Sequence, residues 1–423
     1  MRDLHTEFIH RKLKNPSRPL TAALRFVFRI ICKRRGVGFE YEPDYLKHKN
    51  QQVLFLCQHR SRDDYIYVYA GLKRPDIHIM CGYQNVFQRG VYTIFKHVGV
   101  IAKMLYQPDV TATKQLLSAK KLGNSLMIFP EGIQSSSGST HPINPATMKL
   151  VCKLKLPVVL VTLKGSYFTR TRYSSDVKKG KITLNYSMLF KKEDFEKHNS
   201  DELYDIMLKK FQYNEFTEHE GEKIAFRGKM PNIHGLDNII YRCPECDSEY
   251  EFTVEGDSMR CARCGLTVSM DEYYDIHFKD RENDFENVDA WYKWQRKVLS
   301  REVRDNNFEM STRVKIGKIN TRKLGPNYSL MYYGEGVLTL NNKGLVYRGT
   351  QDGESVELNF SPSMVYSLTM SLQYDLDLYY DSKYYNFKLL ENEKQVAKWM
   401  LAAEEIHNLY DTSWREASGE VYD

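Results

Sequence analysis

His59 and Asp64, in the run Gln58-His59-Arg60-Ser61-Arg62-Asp63-Asp64, are the residue types needed to move a proton. A neutral imidazole titrates near pH 6.5, so at neutral pH it can take the proton of an attacking hydroxyl. A carboxylate on the far ring nitrogen would fix the tautomer and stabilise the imidazolium. Five positions turn an ideal helix by about 500°, a net 140° that separates two side chains. The pair therefore converges only if His59 precedes a helix and Asp64 lies in its first turns, with Ser61 as the N-cap. Asp63 is a rival for the same role, and spacing favours Asp64. Seventy residues on, Phe129-Pro130-Glu131-Gly132 closes a short apolar run. It reads as a strand end, a turn-forming proline and a glycine that lets backbones approach closely. Glu131 would then share the loop layer of His59.

A second constellation is Cys243-Pro244-Glu245-Cys246 with Cys261-Ala262-Arg263-Cys264, a C-x2-C-x14-C-x2-C pattern. Each pair can present two thiolates on one tight knuckle, and two knuckles complete a tetrahedron for Zn²⁺. Four cysteines leave no open position, which implies a closed structural site. Iron in a rubredoxin-like site and a fortuitous pairing are the alternatives. Zinc ribbons often bind nucleic acid, but Asp247, Glu249, Glu251, Glu255 and Asp257 make this one acidic. That weighs against contact with a phosphate backbone, so no nucleic-acid partner is expected. Cys32, Cys57, Cys81 and Cys152 stand singly, and no secretion signal is visible. A reducing cytosol without disulfides is the expectation.

The elements that must position these groups follow from apolar patterning. Val53–Cys57, Ile77–Met80, Leu126–Phe129 and Val158–Leu163 read as buried strands, with helices over Thr111–Leu122 and Pro145–Lys155 between them. Such alternation predicts an α/β sheet covered on both faces, with ligands beyond the strand carboxyl ends. A helix near 287–304 follows the cysteine module. From about 313 to 390 short alternating runs take over, with a hairpin signal at Asn341-Asn342-Lys343-Gly344. A last helix starts at Asn392, with Gln395 completing a possible capping box. Its apolar stripe is Val396, Trp399, Ala403, Ile406 and Tyr410. Many strands closed by one amphipathic helix resembles the pleckstrin-homology-like (PH-like) fold. Its loops lack a dense basic cluster, which favours docking or assembly over lipid head-group recognition.

The chain has 423 residues and a net charge of +7. Residues 1–35 hold ten Lys or Arg against Asp3 and Glu7, so this arm carries the whole excess. The stretch Leu20–Cys32 is too short for a membrane span and contains Arg25 and Arg29. It reads as an amphipathic helix with the two arginines on one face and Phe and Ile on the other, suited to a bilayer interface or to packing on the protein's own body. A peripheral location on the cytoplasmic face is expected, with no transmembrane helix.

Taken together, the two blocks resemble the glycerolipid acyltransferases of the PlsC type, over about residues 20–215. His59, Ser61 and Asp64 fall on the family motif NHxSxxD, with Gln58 at the Asn position, and Phe129–Gly132 supplies FPEG in full. The resemblance implies a mixed sheet flanked by helices, His59 as general base oriented by Asp64, and acceptor binding by the FPEG block. A further family block ends in an Arg for the acceptor phosphate. Here it reads Gly99-Val100-Ile101-Ala102-Lys103, which makes Lys103 the candidate phosphate partner, a point charge in place of a fork. Ser61, Lys103, Phe129, Glu131 and Gly132 are thus the candidate substrate-binding residues. Ser135-Ser136-Ser137-Gly138 is similar to one bacterial branch. The implied donor is acyl-CoA or acyl carrier protein, and the implied acceptor a lysophospholipid, foremost lysophosphatidate. The expected organisation is a basic membrane-associating arm (1–35), an acyltransferase domain (36–235), a zinc ribbon (236–275), a linker helix (276–310) and a β-rich PH-like domain (311–423). Alternatives are acylation of glycerol 3-phosphate or another lysolipid, a non-catalytic membrane-docked scaffold, and a nucleic-acid-binding zinc protein.

Overall fold

The computed structural model describes residues 3–74, 76–305, 307–326, 329–371, 375–412 and 415, so the end of the last expected domain lies outside the described residues. Strands β1 (Val37–Tyr41), β2 (Leu54–Cys57), β3 (Ile77–Gly82), β4 (Ile101–Lys103), β5 (Ser125–Ile128), β6 (Val158–Lys164) and β7 (Ile182–Phe190) form one sheet in the order β1-β7-β6-β2-β5-β3-β4. From β6 to β4 all neighbours are parallel, whereas β7 runs antiparallel to β6, which makes the sheet mixed. Every residue of β2 and β5 is buried, because helices cover both faces. On one face Leu54, Leu126 and Val158 meet Leu116, Val151 and Met207 from the helices Val110–Lys121, Ala146–Leu154 and Ser200–Phe211. On the other, Phe55, Met127 and Val159 meet Tyr67 and Val68 of the helix Asp64–Gly71. The parallel core sends the loops after β2, β5 and β6 out of one edge, where the candidate site lies.

The helix Arg18–Arg35 packs beside Asp64–Gly71 in an orientation that differs from the expected one. Half-buried Arg25 and exposed Arg29 lie on the side facing that helix and donate to the carbonyls of Leu72 and Ala70. The carboxyl end of a helix carries unpaired carbonyls and a partial negative charge, which attracts both guanidinium groups. Phe26, Val27 and Ile30 are left outward, at 67 %, 48 % and 38 % exposure. No described helix is long and apolar enough to cross a membrane.

Strands β8 (Phe252–Glu255), β9 (Ser258–Cys261), β10 (Thr267–Met270) and β11 (Ile276–Phe278) form a four-stranded antiparallel sheet around the cysteine pairs. Strands β12 (Glu309–Ile319), β13 (Leu330–Asn341), β14 (Gly344–Gln351), β15 (Glu354–Phe360), β16 (Thr369–Met370), β17 (Asp375–Tyr380) and β18 (Lys383–Leu389) form a third sheet, ordered β15-β14-β13-β12-β18-β17-β16. The helix Val396–Asn408 packs on it, with Trp399 fully buried. Its expected capping box is absent. Asn392 adopts a left-handed φ of 33°, a 3-10 turn precedes the helix, and Gln395 accepts the Trp399 indole N–H instead. The helix Val288–Val303 is no free linker: Trp291, Leu299 and Val303 are buried in one continuous core that runs from Tyr167 through the cysteine module to Ile406.

Candidate functional site

The turn between β2 and the helix Asp64–Gly71 brings His59 and Asp64 together. His59 precedes the helix and Asp64 opens it, so His59 Nδ1 lies 3.0 Å from Asp64 Oδ2. The same oxygen accepts the N–H groups of Arg60 (2.5 Å) and Ser61 (2.8 Å), while Oδ1 accepts the Ser166 hydroxyl. Asp64 thus ties together the amides of the turn that precedes its own helix. Ser61 is not the N-cap, because the helix begins later and Asp63 precedes it. The Ser61 hydroxyl accepts the Asp63 N–H. Asp63 is turned away from His59 and shared by Arg35 (2.6 Å) and Arg170 (2.9 Å). The His59 ring is 13 % exposed and tilted against Phe129, with centroids 4.5 Å apart.

Glu131 is buried and turned inward. Oε1 accepts the His59 N–H at 2.9 Å, and Oε2 accepts the His141 N–H at 2.8 Å and pairs with buried Arg60 at 3.3 Å. Both oxygens are thus held by protein donors, and the side chain is buried. Gly132 has φ 78°, and a Cβ there would meet nothing nearer than 3.9 Å, so the turn and not close approach requires glycine. Lys103 ends β4, three strands from β2 and so roughly 14 Å away across the sheet. Its ammonium donates to the carbonyls of Met104 and Gln107, and burial lowers it to about 8 against the pull of Asp109. The structure does not bring it to His59. Gln58, at the family's Asn position, bridges the sheet to the helix Ser200–Phe211, donating to the Phe211 carbonyl and accepting the Leu163 N–H.

Ser166 and Arg60 are among the members of this network that the sequence reading missed. Ser166 follows Gly165 at the carboxyl end of β6, the strand beside β2, and strand adjacency is the one signal that could have found it. Arg60 lies between the two recognised residues, where its charge reads as exposed. In the fold it faces Glu131, Thr140 and the Tyr213 ring.

With this geometry in view, comparison with known proteins is informative. Residues 39–164 match the model of the Acyltransferase family, and the matched segment holds His59, Asp64 and Glu131. A 1-acyl-sn-glycerol-3-phosphate acyltransferase of Cocos nucifera is 24 % identical over 156 residues, 35 % of this chain and 48 % of that protein. The chain therefore spans about half the length of the curated relative it matches. The crystal structure of the 1-acyl-sn-glycerophosphate (LPA) acyltransferase PlsC from Thermotoga maritima aligns at 14 % identity and a TM-score of 0.37, covering 45 % of this chain and 78 % of that one.

Glu215 lies near Arg60 and offers a pH test of this packing. Burial raises its carboxyl from 4.5 to about 8, opposed by Tyr213 and then Arg60. Between those pH values the native state holds a proton that the unfolded chain has released, so stability falls as pH rises and levels off above about 8. Glu215→Gln removes that slope. The variant should melt with wild type near pH 5 and above it at pH 8.5. Equal melting temperatures at both would show that Glu215 is not held protonated.

Proposed function

We propose that this chain moves a fatty acyl group from an acyl thioester, acyl-CoA or acyl carrier protein, to the hydroxyl of a lysophospholipid at a membrane surface, with lysophosphatidate as the acceptor. The observation that carries this reading is the His59–Asp64 pair within a segment matching the Acyltransferase family. Asp64 on Nδ1 leaves Nε2 to face the acceptor. The acceptor oxygen attacks the thioester carbon while Nε2 takes its proton. The C–S bond then breaks, and the imidazolium returns the proton to the leaving thiolate, held meanwhile by the Asp64 charge. No protein nucleophile is needed, because the attacking oxygen belongs to the substrate. Lys103 remains the candidate for the acceptor phosphate, with one ammonium proton beyond the two carbonyls it serves.

The outward face of the helix Arg18–Arg35 supports peripheral membrane contact. Phe26, Val27 and Ile30 fall on one stripe, with exposed Lys33 and Arg34 at its end to meet anionic head groups. The four cysteine sulfurs lie within 4.8 Å of one another, with Cys243–Cys264 at 3.6 Å and Cys246–Cys261 at 3.8 Å. Zn–S bonds of about 2.3 Å in a tetrahedron place sulfurs about 3.8 Å apart, so the residues fit structural zinc. The third sheet with its closing helix supports the PH-like reading of the last domain.

Three measurements check these readings. Thiol release from palmitoyl-CoA on vesicles should require lysophosphatidate and fall about 10²–10⁴-fold in His59→Ala with melting unchanged. Near-wild-type turnover in that variant would sink the mechanism, and vesicle binding without release by wild type would favour the scaffold. Phe26→Asp with Ile30→Asp should weaken binding to phosphatidylglycerol vesicles by roughly tenfold or more, since both side chains are exposed and their loss spares the fold. Unchanged binding would move the membrane contact elsewhere. Elemental analysis should find one zinc per chain, lost in Cys243→Ser with Cys261→Ser; iron in its place would overturn the zinc assignment.

A further inference from the structure

His59 is held by its main chain as well as by its ring. Its N–H donates to Glu131 Oε1 and its carbonyl accepts the Ser135 N–H, both at 2.9 Å. Both partners belong to the loop 131–141 that follows β5. What fixes this loop comes from far along the chain. Ser137 and Ser139 donate their hydroxyls to one oxygen of Asp289, at 2.5 and 2.8 Å. The other oxygen takes Asn214 Nδ2 at 2.8 Å and Lys293 Nζ at 2.7 Å. Asp289 is buried in the first turn of the helix Val288–Val303, so its charge depends on these donors. One carboxylate thereby sets the positions of the loop, of residue 214 and of its own helix. That helix is anchored in turn by Trp291, packed against Phe252 and Phe278 of the cysteine module.

We propose that Asp289 is a positioning residue for acyl transfer: it fixes the loop 131–141 and, through Glu131 and Ser135, the main chain of His59. This rests on the reading of His59 as the general base. Asp289 lies outside the segment 39–164 that matches the Acyltransferase family, so the appended half of the chain supplies part of the support for the site. Geometry at a reacting group is worth rate: a displacement of about 1 Å costs on the order of 10²-fold.

The test compares the full chain as wild type, Asp289→Asn, and the swap Asp289→Asn with Asn214→Asp. The single variant turns an amide donor toward Asn214 and Lys293, which are donors themselves. The swap places a carboxylate at 214 to accept from the new amide, whose oxygen still serves Ser137 and Ser139. Amide hydrogen exchange over residues 58–61 and 131–141 reads the clamp without turnover. Exchange there should rise about tenfold or more in Asp289→Asn and return in the swap. In thiol release with lysophosphatidate, kcat should fall about ten- to a hundredfold with KM for acyl-CoA unmoved, and recover in the swap. Exchange equal to wild type in Asp289→Asn overturns the proposal. So does a swap that exchanges like wild type yet stays slow. If Asp289→Asn fails to fold, Ser137→Ala and Ser139→Ala, which each remove one donor, take its place with the same expectations. A wild type that releases no thiol would count against the acyltransferase reading, and exchange alone would then decide whether the clamp exists.

Discussion

The site turns on one buried carboxylate. Asp64 accepts two main-chain amides, a serine hydroxyl and the imidazole of His59, and its position at the start of a helix adds the favourable end of the helix dipole. An anion stripped of water in this way is tolerable only when its donors are already in place. The strand before it, the helix after it and the neighbouring strand that delivers Ser166 must all be formed for the charge to be satisfied. The arrangement that orients the imidazole is therefore the one that stabilises the turn, and the two cannot vary independently.

The appended half repeats this logic at a larger scale. Glu404, on the last helix, pairs with Arg296 (3.2 Å) and Arg415 (3.3 Å), accepts the Ser367 hydroxyl, and lies 3.5 Å from His141. Arg415, Arg296 and His141 hold it well below the ordinary carboxylate range despite burial. Buried ion networks add little net stability over apolar packing, but they are costly when one partner is missing. Their value lies in registration. The segment matching the Acyltransferase family, the cysteine module and the third sheet dock in an arrangement that pairs these charges.

How much of this was legible depended on range. The strands β2, β5 and β6 are dominated by apolar runs and could be read directly; the antiparallel course of β7 follows from the connection after β6, which carries no periodic signal. The pairing of His59 with Asp64 was readable because a strand, a turn and a helix start fix it within a few residues. The Ser166–Asp64 and Ser137–Asp289 bonds span 102 and 152 residues, and nothing local announces either. Lys103 stood where a phosphate partner was expected, but the sequence could not reveal that the turn behind it folds its carbonyls over the ammonium. The partner of the arginine face of the helix Arg18–Arg35 was hidden for a similar reason: periodicity separates faces but does not say which face finds a partner.

The reach of these contacts bears on how the protein is made. A ribosome adds about 5–20 residues per second, and the 263 residues separating His141 from Glu404 occupy roughly 10–50 s of synthesis. Early in that interval the emerging chain already contains His59, Asp64 and Glu131, while Asp289 and then Glu404, which latch the loop behind them, are still to be made. The latch closes only when the last helix has left the ribosome. Synthesis of the helix Val396–Asn408 is thereby built into the assembly of the site.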